Sequence, residues 1–220
     1  MTDDEEGEEA IARAELVMHL RRQNVAGRAT LAALESVPRS LFLNAGDKQL
    51  AYTDRAAPID CGQTISQPTV VAMMTEALSL GPAMRVLEVG TGSGYQSAIL
   101  ARLSRSVISL ERYQKLRDLA AERLRVLRID NVDLRLGDGH EGAPDDAPFD
   151  RIILTATAPA VPAALVRQLA PDGVLVAPVG EAGAVQELLR CTRDEGGGLV
   201  GEKIADVRFV PMLSGVSRIL

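Results

Sequence analysis

A glycine-rich segment between an apolar run and a helical pattern is the most informative part of this chain. It reads Val86-Leu87-Glu88-Val89-Gly90-Thr91-Gly92-Ser93-Gly94-Tyr95-Gln96. Residues 86–89 predict a short strand and residues 95–103 predict a helix, so the three glycines form the turn between them. Such a turn lets the backbone approach a ligand beside a helix N-terminus. The alternative is a plain strand–turn–helix corner that binds nothing.

The spacing of these glycines argues against a dinucleotide ligand. The dinucleotide fingerprint is G-x-G-x-x-G, whereas this loop has G-x-G-x-G with Tyr95 at the position of the last glycine. Glu88, at the end of the preceding strand, would repel a pyrophosphate and suits a positively charged ligand. S-adenosylmethionine carries an ammonium and a sulfonium group, so the loop favours that cofactor.

Acidic residues follow the next two predicted strands, at residues 107–110 and 132–136. Glu111 ends the first of them, and the second is followed by Gly137-Asp138-Gly139. Because ligands bind at the carboxyl ends of parallel strands, we expect Glu111 to accept from ribose hydroxyls and Asp138 from an adenine amino group. The alternatives are a surface pair between Glu111 and Lys115, and a simple Asp-Gly turn at Asp138.

The order of the predicted elements gives the fold class. Further strands are predicted at residues 152–155 and 174–178, and further helices at residues 113–127 and 161–169. This alternation predicts an α/β protein with a doubly wound, mostly parallel sheet of the class I S-adenosylmethionine-dependent methyltransferase type. We expect an N-terminal helical cap (helices at 10–22, 29–35 and 68–80, with an ordered loop at 39–65) and a C-terminal antiparallel hairpin (184–192 and 202–210).

The expected domain organisation is simple. The acidic residues 1–9 predict a disordered tail. Residues 10–220 predict a single methyltransferase domain, in which residues 10–84 form the helical and substrate cap and residues 85–220 form the cofactor-binding core.

Composition restricts the partners. The chain has 220 residues, with 24 Lys and Arg against 30 Asp and Glu, for a net charge of −6. An acidic chain binds polyanions poorly, so neither nucleic acid nor an anionic membrane is expected as a partner. The acidic start is unlike a signal peptide, and the two cysteines and two histidines lack the spacing of a metal site. We expect a cytoplasmic monomer without metal.

The segment after the fourth strand concerns the methyl acceptor. It reads Thr155-Ala156-Thr157-Ala158-Pro159 and lacks the Asn/Asp-Pro-Pro-aromatic stretch of many nucleic-acid amino methyltransferases. A carboxylate acceptor needs no catalytic base, because it is already ionised at neutral pH, and its methylation requires mainly orientation. Ser66 or Thr64, just before a helix, could hold a carboxylate; the alternative is that these hydroxyls cap the helix.

The sequence resembles the protein-L-isoaspartate O-methyltransferases over residues 37–211. The most specific matching stretch is Gly62-Gln63-Thr64-Ile65-Ser66-Gln67-Pro68; others are Val37-Pro38-Arg39, residues 86–96, Ser109-Leu110-Glu111-Arg112, Gly137-Asp138-Gly139 and Val207-Arg208-Phe209-Val210-Pro211. The resemblance implies methyl transfer from S-adenosylmethionine to the free carboxyl of L-isoaspartyl residues in damaged proteins or peptides. S-adenosylhomocysteine would be the product, and the methyl ester would collapse to a succinimide.

The resemblance also implies roles for particular residues. It gives the catalytic role to Ser66 and substrate contacts to Ile59, Val210 and Pro211. It implies cofactor binding by Gln63, Thr64, Ile65, Ser66, Glu88, Gly90, Gly92, Ser93, Gly94, Glu111, Asp138 and Gly139. The chain departs from the family pattern at Asp60-Cys61 and His140. Two alternatives therefore stay open: a paralogue that methylates a dedicated aspartyl substrate, and a catalytically inactive cofactor-binding module.

Overall fold

The computed structural model describes residues 3–194 and 196–217. Its helices are α1 (Asp3–Arg22), α2 (Arg28–Ser36), α3 (Pro68–Ala77), α4 (Tyr95–Leu103), α5 (Gln114–Val126) and α6 (Ala163–Gln168). Its strands are β1 (Ala57–Pro58), β2 (Thr64–Ile65), β3 (Arg85–Val89), β4 (Ser106–Glu111), β5 (Val132–Leu136), β6 (Phe149–Leu154), β7 (Leu169–Val179), β8 (Gln186–Arg193) and β9 (Leu199–Val207).

The main sheet has the order β5-β4-β3-β6-β7-β8-β9. The five neighbouring strands β5, β4, β3, β6 and β7 pair in parallel, whereas β8 and β9 pair antiparallel at one edge. The chain moves outward from β3 to β4 and β5 and then returns to the other side of β3 with β6. This reversal creates a crevice at the carboxyl ends of β3 and β6, where ligands bind in such folds. The predicted doubly wound sheet and C-terminal hairpin are confirmed.

The central strands are apolar because helices cover both faces of the sheet. Leu87 of β3 and Ile152 and Ile153 of β6 are fully buried. Residues that alternate along β3 enter different apolar clusters: Leu87 and Val89 pack in one, and Val86 packs in the other. The central strands are therefore held on both sides, and their carboxyl ends have fixed positions.

The N-terminal part forms a helical cap whose core includes Leu20, Leu34 and Phe42. Helix α1 begins at Asp3, so the prediction of a disordered tail is wrong for residues 3–9; Met1 and Thr2 lie outside the described residues. Glu9 ties this end of α1 to the following segment by accepting hydrogen bonds from Ser40 (2.6 Å) and Tyr52 (2.7 Å). Acidic residues also suit the positive N-terminal end of a helix dipole.

The ordered loop between α2 and α3 consists of short turns and one small ladder. It contains 3₁₀ helices at Arg39–Phe42, Ala45–Leu50 and Asp60–Gly62. Strands β1 and β2 pair antiparallel, with Ala57 opposite Ile65 and Pro58 opposite Thr64. The ladder fixes the start of the segment that leads to Ser66.

Two elements end three residues earlier than the sequence predicts. Helix α3 ends at Ala77 instead of residue 80, and Ser79, with φ of 51°, is incompatible with a continued helix. Strand β9 ends at Val207 instead of residue 210. The backbone beyond it pairs with Thr157: the Val210 carbonyl accepts from Thr157 N (2.9 Å), and Met212 N donates to the Thr157 carbonyl (2.8 Å). The chain thereby leaves the hairpin and turns towards the crevice.

Candidate active site

A cleft of about 590 Å³ opens at the carboxyl ends of the parallel strands. The lining includes six residues that the sequence analysis selected for cofactor binding: Gln63, Thr64, Gly90, Gly92, Glu111 and Gly139. Segments that are distant in sequence therefore meet where they were expected to meet.

The glycine loop forms part of the cleft wall, and its glycines are required. Gly90, Gly92 and Gly94 have φ values of 97°, 55° and 88°, in the left-handed region that side chains disfavour. A side chain on Gly90 would also collide with the hydroxyl of Thr155, and one on Gly94 would press against Ala120 of α5. Gly90 and Gly92 border the cleft, whereas Gly94 lets α4 and α5 approach each other.

Glu111 occupies the cleft at the end of β4. Its carboxylate accepts hydrogen bonds from the backbone N–H groups of Gly92 (2.8 Å) and Tyr113 (3.0 Å). Burial raises the pKa of Glu111, against the opposing effect of these N–H donors. A carboxylate offers about four acceptor positions, so two remain for hydroxyl groups of a ligand. The alternative of a surface pair between Glu111 and Lys115 is wrong, because Lys115 binds Asp60 instead.

Glu88 does not border the cleft. It is fully buried beneath the glycine loop and accepts hydrogen bonds from the hydroxyls of Ser97 and Ser109. Its other oxygen, Oε1, has no partner among the described residues. Burial raises the pKa of Glu88 to about 7, although both serines favour the ionised form. The structure thus places Glu88 behind the loop, whereas the sequence analysis expected it to face the ligand.

Asp138 likewise does not border the cleft, although Gly137 and Gly139 on either side of it do. Its carboxylate accepts from the backbone N–H groups of Gly215 (2.6 Å) and His140 (2.9 Å). Burial by itself would raise the pKa of Asp138, but these hydrogen bonds outweigh it and hold the pKa below its usual value. The expected contact between Asp138 and adenine would have to share the carboxylate with Gly215.

A C-terminal segment covers one side of the cleft. Residues 210–213 border it directly. The segment is held by Arg112, whose side chain donates to the carbonyls of Gly215 (3.1 Å) and Ser214 (3.5 Å). Val210 and Pro211, for which the resemblance implied substrate contacts, both border this cleft. Sequence reasoning missed the rest of this segment, because Met212 and Leu213 belong to no periodic pattern.

Ser66 borders a second cavity, which adjoins the cofactor cleft. This groove shares Thr64, Thr155 and Val210 with the cleft and is also bordered by Gln67, Arg208 and Phe209. The Ser66 hydroxyl has no hydrogen-bond partner among the described residues. It does not cap α3, since the cap residue is Gln67 and the Thr69 N–H donates to Asp54 (2.9 Å). The helix-capping alternative for Ser66 is therefore wrong.

Three further residues of the predicted site are buried: Ile59, Ile65 and Ser93. A small cavity beside the glycine loop is bordered by Ile65, Ser66 and Ser93. Ile59 is buried, and it borders neither the cleft nor the groove. Its backbone N–H donates to the Gln63 carbonyl (2.9 Å). Ile59 therefore supports the loop before Ser66 from inside the cap.

The charge of Asp60 is compensated. Its carboxylate lies 2.5 Å from the ammonium nitrogen of Lys115 on α5. The pairing raises the pKa of Lys115. The acidic departure from the family pattern is thus matched by a cation from the core, and the loop that precedes Ser66 carries no isolated negative charge at this point.

The described residues contain neither a metal cluster nor a membrane span. Within residues 3–194 and 196–217, no three His, Cys, Asp or Glu side chains are grouped so as to hold a metal ion. In the same ranges, no helix is both long enough and apolar enough to cross a membrane.

Comparisons with known proteins identify one family. Residues 11–217 match the family model described as protein-L-isoaspartate(D-aspartate) O-methyltransferase. A protein-L-isoaspartate O-methyltransferase from Parvibaculum lavamentivorans is 51% identical over 219 residues, which cover 99% of this chain and 97% of the relative. The corresponding protein of Azorhizobium caulinodans is 49% identical over 220 residues and is covered completely, as is this chain.

A solved structure with a similar fold contains S-adenosyl-L-homocysteine. A Plasmodium falciparum structure, described as a putative protein-L-isoaspartate O-methyltransferase in complex with S-adenosyl-L-homocysteine, superimposes with a TM-score of 0.80. It is 27% identical, and the match covers 91% of this chain and 98% of the other.

Proposed function

Because this chain belongs to the protein-L-isoaspartate(D-aspartate) O-methyltransferase family, we propose that its two adjoining cavities carry out that family's repair reaction, with Ser66 at their junction. The chain is an S-adenosylmethionine-dependent enzyme that methylates the free carboxyl of L-isoaspartyl residues in damaged proteins or peptides. In our proposal each part of this reaction depends on particular residues of the cleft and the groove.

The residues around the cleft fit S-adenosylmethionine. A side chain on Gly139 would overlap Val89, and one on Gly90 would overlap Thr155, so the glycines keep the backbone close to the cleft. Glu111 retains acceptor capacity for two ribose hydroxyls. S-adenosylmethionine contains no phosphate, so its binding requires no phosphate-binding cation in the cleft. Gln63, Thr64, Gly90, Gly92, Glu111 and Gly139 would hold the cofactor.

When bound, the cofactor supplies a methyl group on a positively charged sulfur, which a carboxylate oxygen displaces to give a methyl ester and S-adenosylhomocysteine. The protein need not move a proton in this reaction, because an ionised carboxylate becomes a neutral ester. Its task is to hold the acceptor oxygen in line. The reaction therefore needs no catalytic base from the groove, where the carboxylate of Asp206 is paired with Lys203 (2.8 Å).

The observation that carries the assignment is the state of Ser66. Its hydroxyl has no partner among the described residues, and it faces a groove that shares Thr64, Thr155 and Val210 with the cofactor cleft. A free hydroxyl donor at this junction can hold one carboxylate oxygen and leave the other towards the cleft. The groove continues past Arg208 and Phe209, which gives room for peptide on either side of the isoaspartyl residue.

The pairing of Asp60 with Lys115 bears on the choice of acceptor. An unpaired Asp60 was the reason to consider a dedicated aspartyl substrate. With a cation at 2.5 Å, Asp60 opposes an incoming isoaspartyl carboxylate less strongly. This supports the repair substrate over the paralogue alternative.

We extend the proposal to cellular context. The net charge of −6 supports a protein without nucleic-acid or anionic-membrane partners. Cys61 and Cys191 are both free thiols, which supports a reducing, cytoplasmic location. We propose that the enzyme works there as a monomer, because the cleft and the groove are both built from one chain.

The test is methyl transfer from labelled S-adenosylmethionine to an isoaspartyl peptide and to its aspartyl twin, scored as base-labile methanol. We expect label on the isoaspartyl peptide alone. The Ser66→Ala variant should lose at least about 100-fold in kcat, the scale of one lost preorganised donor, with cofactor Kd changed no more than a few-fold. Ser36→Ala on α2 is the control. Near-normal turnover in Ser66→Ala would refute the assignment, and label on the aspartyl twin would favour the dedicated-substrate alternative.

A further inference from the structure

Thr155 is a residue for which the sequence analysis found no role and which the structure places at the centre of the site. It follows β6 directly and borders the cofactor cleft, the groove of Ser66 and the small cavity beside the glycine loop. Its backbone N–H donates to the Val89 carbonyl (2.9 Å), which anchors it to the end of β3. Thr155 therefore lies where the cleft and the groove meet.

The hydroxyl of Thr155 is already committed as a donor. Its Oγ1 lies 2.5 Å from the Gly90 carbonyl oxygen and 3.1 Å from the Val89 carbonyl oxygen. A hydroxyl has one proton, and both neighbouring oxygens can only accept it. What Thr155 offers to the cavities is therefore oxygen lone pairs.

An oxygen that presents lone pairs and no proton distinguishes the carboxylate acceptor from the positively charged cofactor. The lone pairs repel a carboxylate oxygen and attract a positively polarised C–H or N–H group. Ser66 differs in this respect, since its hydroxyl proton is free. The junction thus has one hydroxyl suited to the anionic acceptor and one suited to a cation.

Building on the proposed function, we propose that Thr155 Oγ1 contacts the sulfonium end of S-adenosylmethionine and strengthens binding of that form relative to the neutral product. S-adenosylhomocysteine has the same adenosine and amino-acid groups but lacks the methyl and the positive charge on sulfur. The contact would therefore be made with the substrate form of the cofactor and weakened after transfer.

The experiment compares the affinities of the two cofactor forms, measured by calorimetry. Thr155→Val removes the hydroxyl and keeps the branched shape, whereas Thr155→Ser keeps the hydroxyl. We expect Thr155→Val to weaken S-adenosylmethionine binding about 3- to 10-fold and S-adenosylhomocysteine binding no more than about twofold, in line with the strength of weak hydrogen bonds. Thr155→Ser should keep the wild-type ratio.

Thr53→Val is the matched control, since the Thr53 hydroxyl also donates to a backbone carbonyl, that of Leu50 (2.7 Å), outside these cavities. Equal weakening of both ligands in Thr155→Val would overturn the proposal and make Thr155 a support for the loop. An unchanged ratio with a raised KM for the peptide would overturn it in favour of an acceptor contact. If Thr155→Val does not fold, Thr155→Ala takes its place with the same expected change of ratio. A wild-type chain that bound neither ligand would refute the proposed function itself.

Discussion

Substitution of Glu88 tests the effect of burial on the pKa of this carboxyl, through the pH dependence of stability and without any ligand. Glu88→Gln replaces a fully buried carboxyl with a neutral group of nearly the same shape. Burial raises the pKa of Glu88 from 4.5 to about 7. Between these values the folded protein holds a proton that the unfolded chain has released, so wild-type stability falls as pH rises through this window and levels off above it.

The size of the effect follows from the shift. About 2.5 pH units at about 1.4 kcal/mol each give roughly 3 kcal/mol at high pH. The wild type has already lost part of this stability at pH 5. Between pH 5 and pH 8 its free energy of unfolding therefore falls by a further amount of about 2 to 3 kcal/mol. Gln does not ionise in either state. The variant is expected to gain this amount relative to the wild type over that range, whatever constant cost its altered hydrogen bonds to Ser97 and Ser109 impose.

The assay is urea unfolding of both proteins at several pH values from 5 to 8.5, with the difference in unfolding free energy plotted against pH. Glu202→Gln on β9 serves as the control, because that carboxyl is exposed in the folded protein. A difference between Glu88→Gln and wild type that stayed flat across the range would refute the argument, since it would mean that Glu88 ionises as readily in the fold as in the unfolded chain.

Two further predictions concern the cleft. Glu111→Gln should weaken S-adenosylhomocysteine binding at least about 10-fold by calorimetry, because hydrogen bonds to a charged acceptor are lost; an unchanged Kd would exclude Glu111 from cofactor binding. Lys115→Ala should raise the KM for the isoaspartyl peptide at low ionic strength with little change in kcat, because the charge of Asp60 is then unpaired. Adding Asp60→Asn to that chain should restore the KM, and failure to do so would show that Lys115 acts by another route.

Much of the fold could be predicted because local and long-range preferences agree. The apolar runs at β3 and β6 match strands covered on both faces, and the three glycines of the loop match its left-handed backbone. The alternation of strands and helices then leaves few topologies. The meeting of Gly90, Glu111 and Gly139 in one cleft followed from the rule that parallel strands end at the same edge.

The directions of side chains could not be predicted in the same way. Glu88 and Asp138 occupy the expected backbone positions, but Glu88 binds Ser97 and Ser109 beneath the loop and Asp138 binds Gly215. Neither set of partners is visible in the local pattern, because the contacts join residues 9 to 77 positions apart. The pairing of Lys115 with Asp60 is of the same kind.

The disordered N-terminal tail was inferred from charge alone and was wrong for residues 3–9. A run of acidic residues predicts repulsion in an isolated chain. It does not reveal that Ser40 and Tyr52 donate to Glu9 and provide a place for the helix to dock. The composition of residues 3–9 describes this segment in isolation, whereas the folded chain supplies the side chains that bind it.

The C-terminal segment that borders the cleft also sets an order of events during biosynthesis. Synthesis proceeds from the N-terminus, so the strands of the sheet emerge from the ribosome before residues 210–213 do. Until residues 210–215 have emerged, Arg112 and Asp138 lack their partners Ser214 and Gly215, and one side of the cleft is open. Firm retention of the cofactor is therefore among the last properties that a newly made chain acquires. A chain cut after Val207 would keep its sheet and glycine loop but would hold its ligand from one side only.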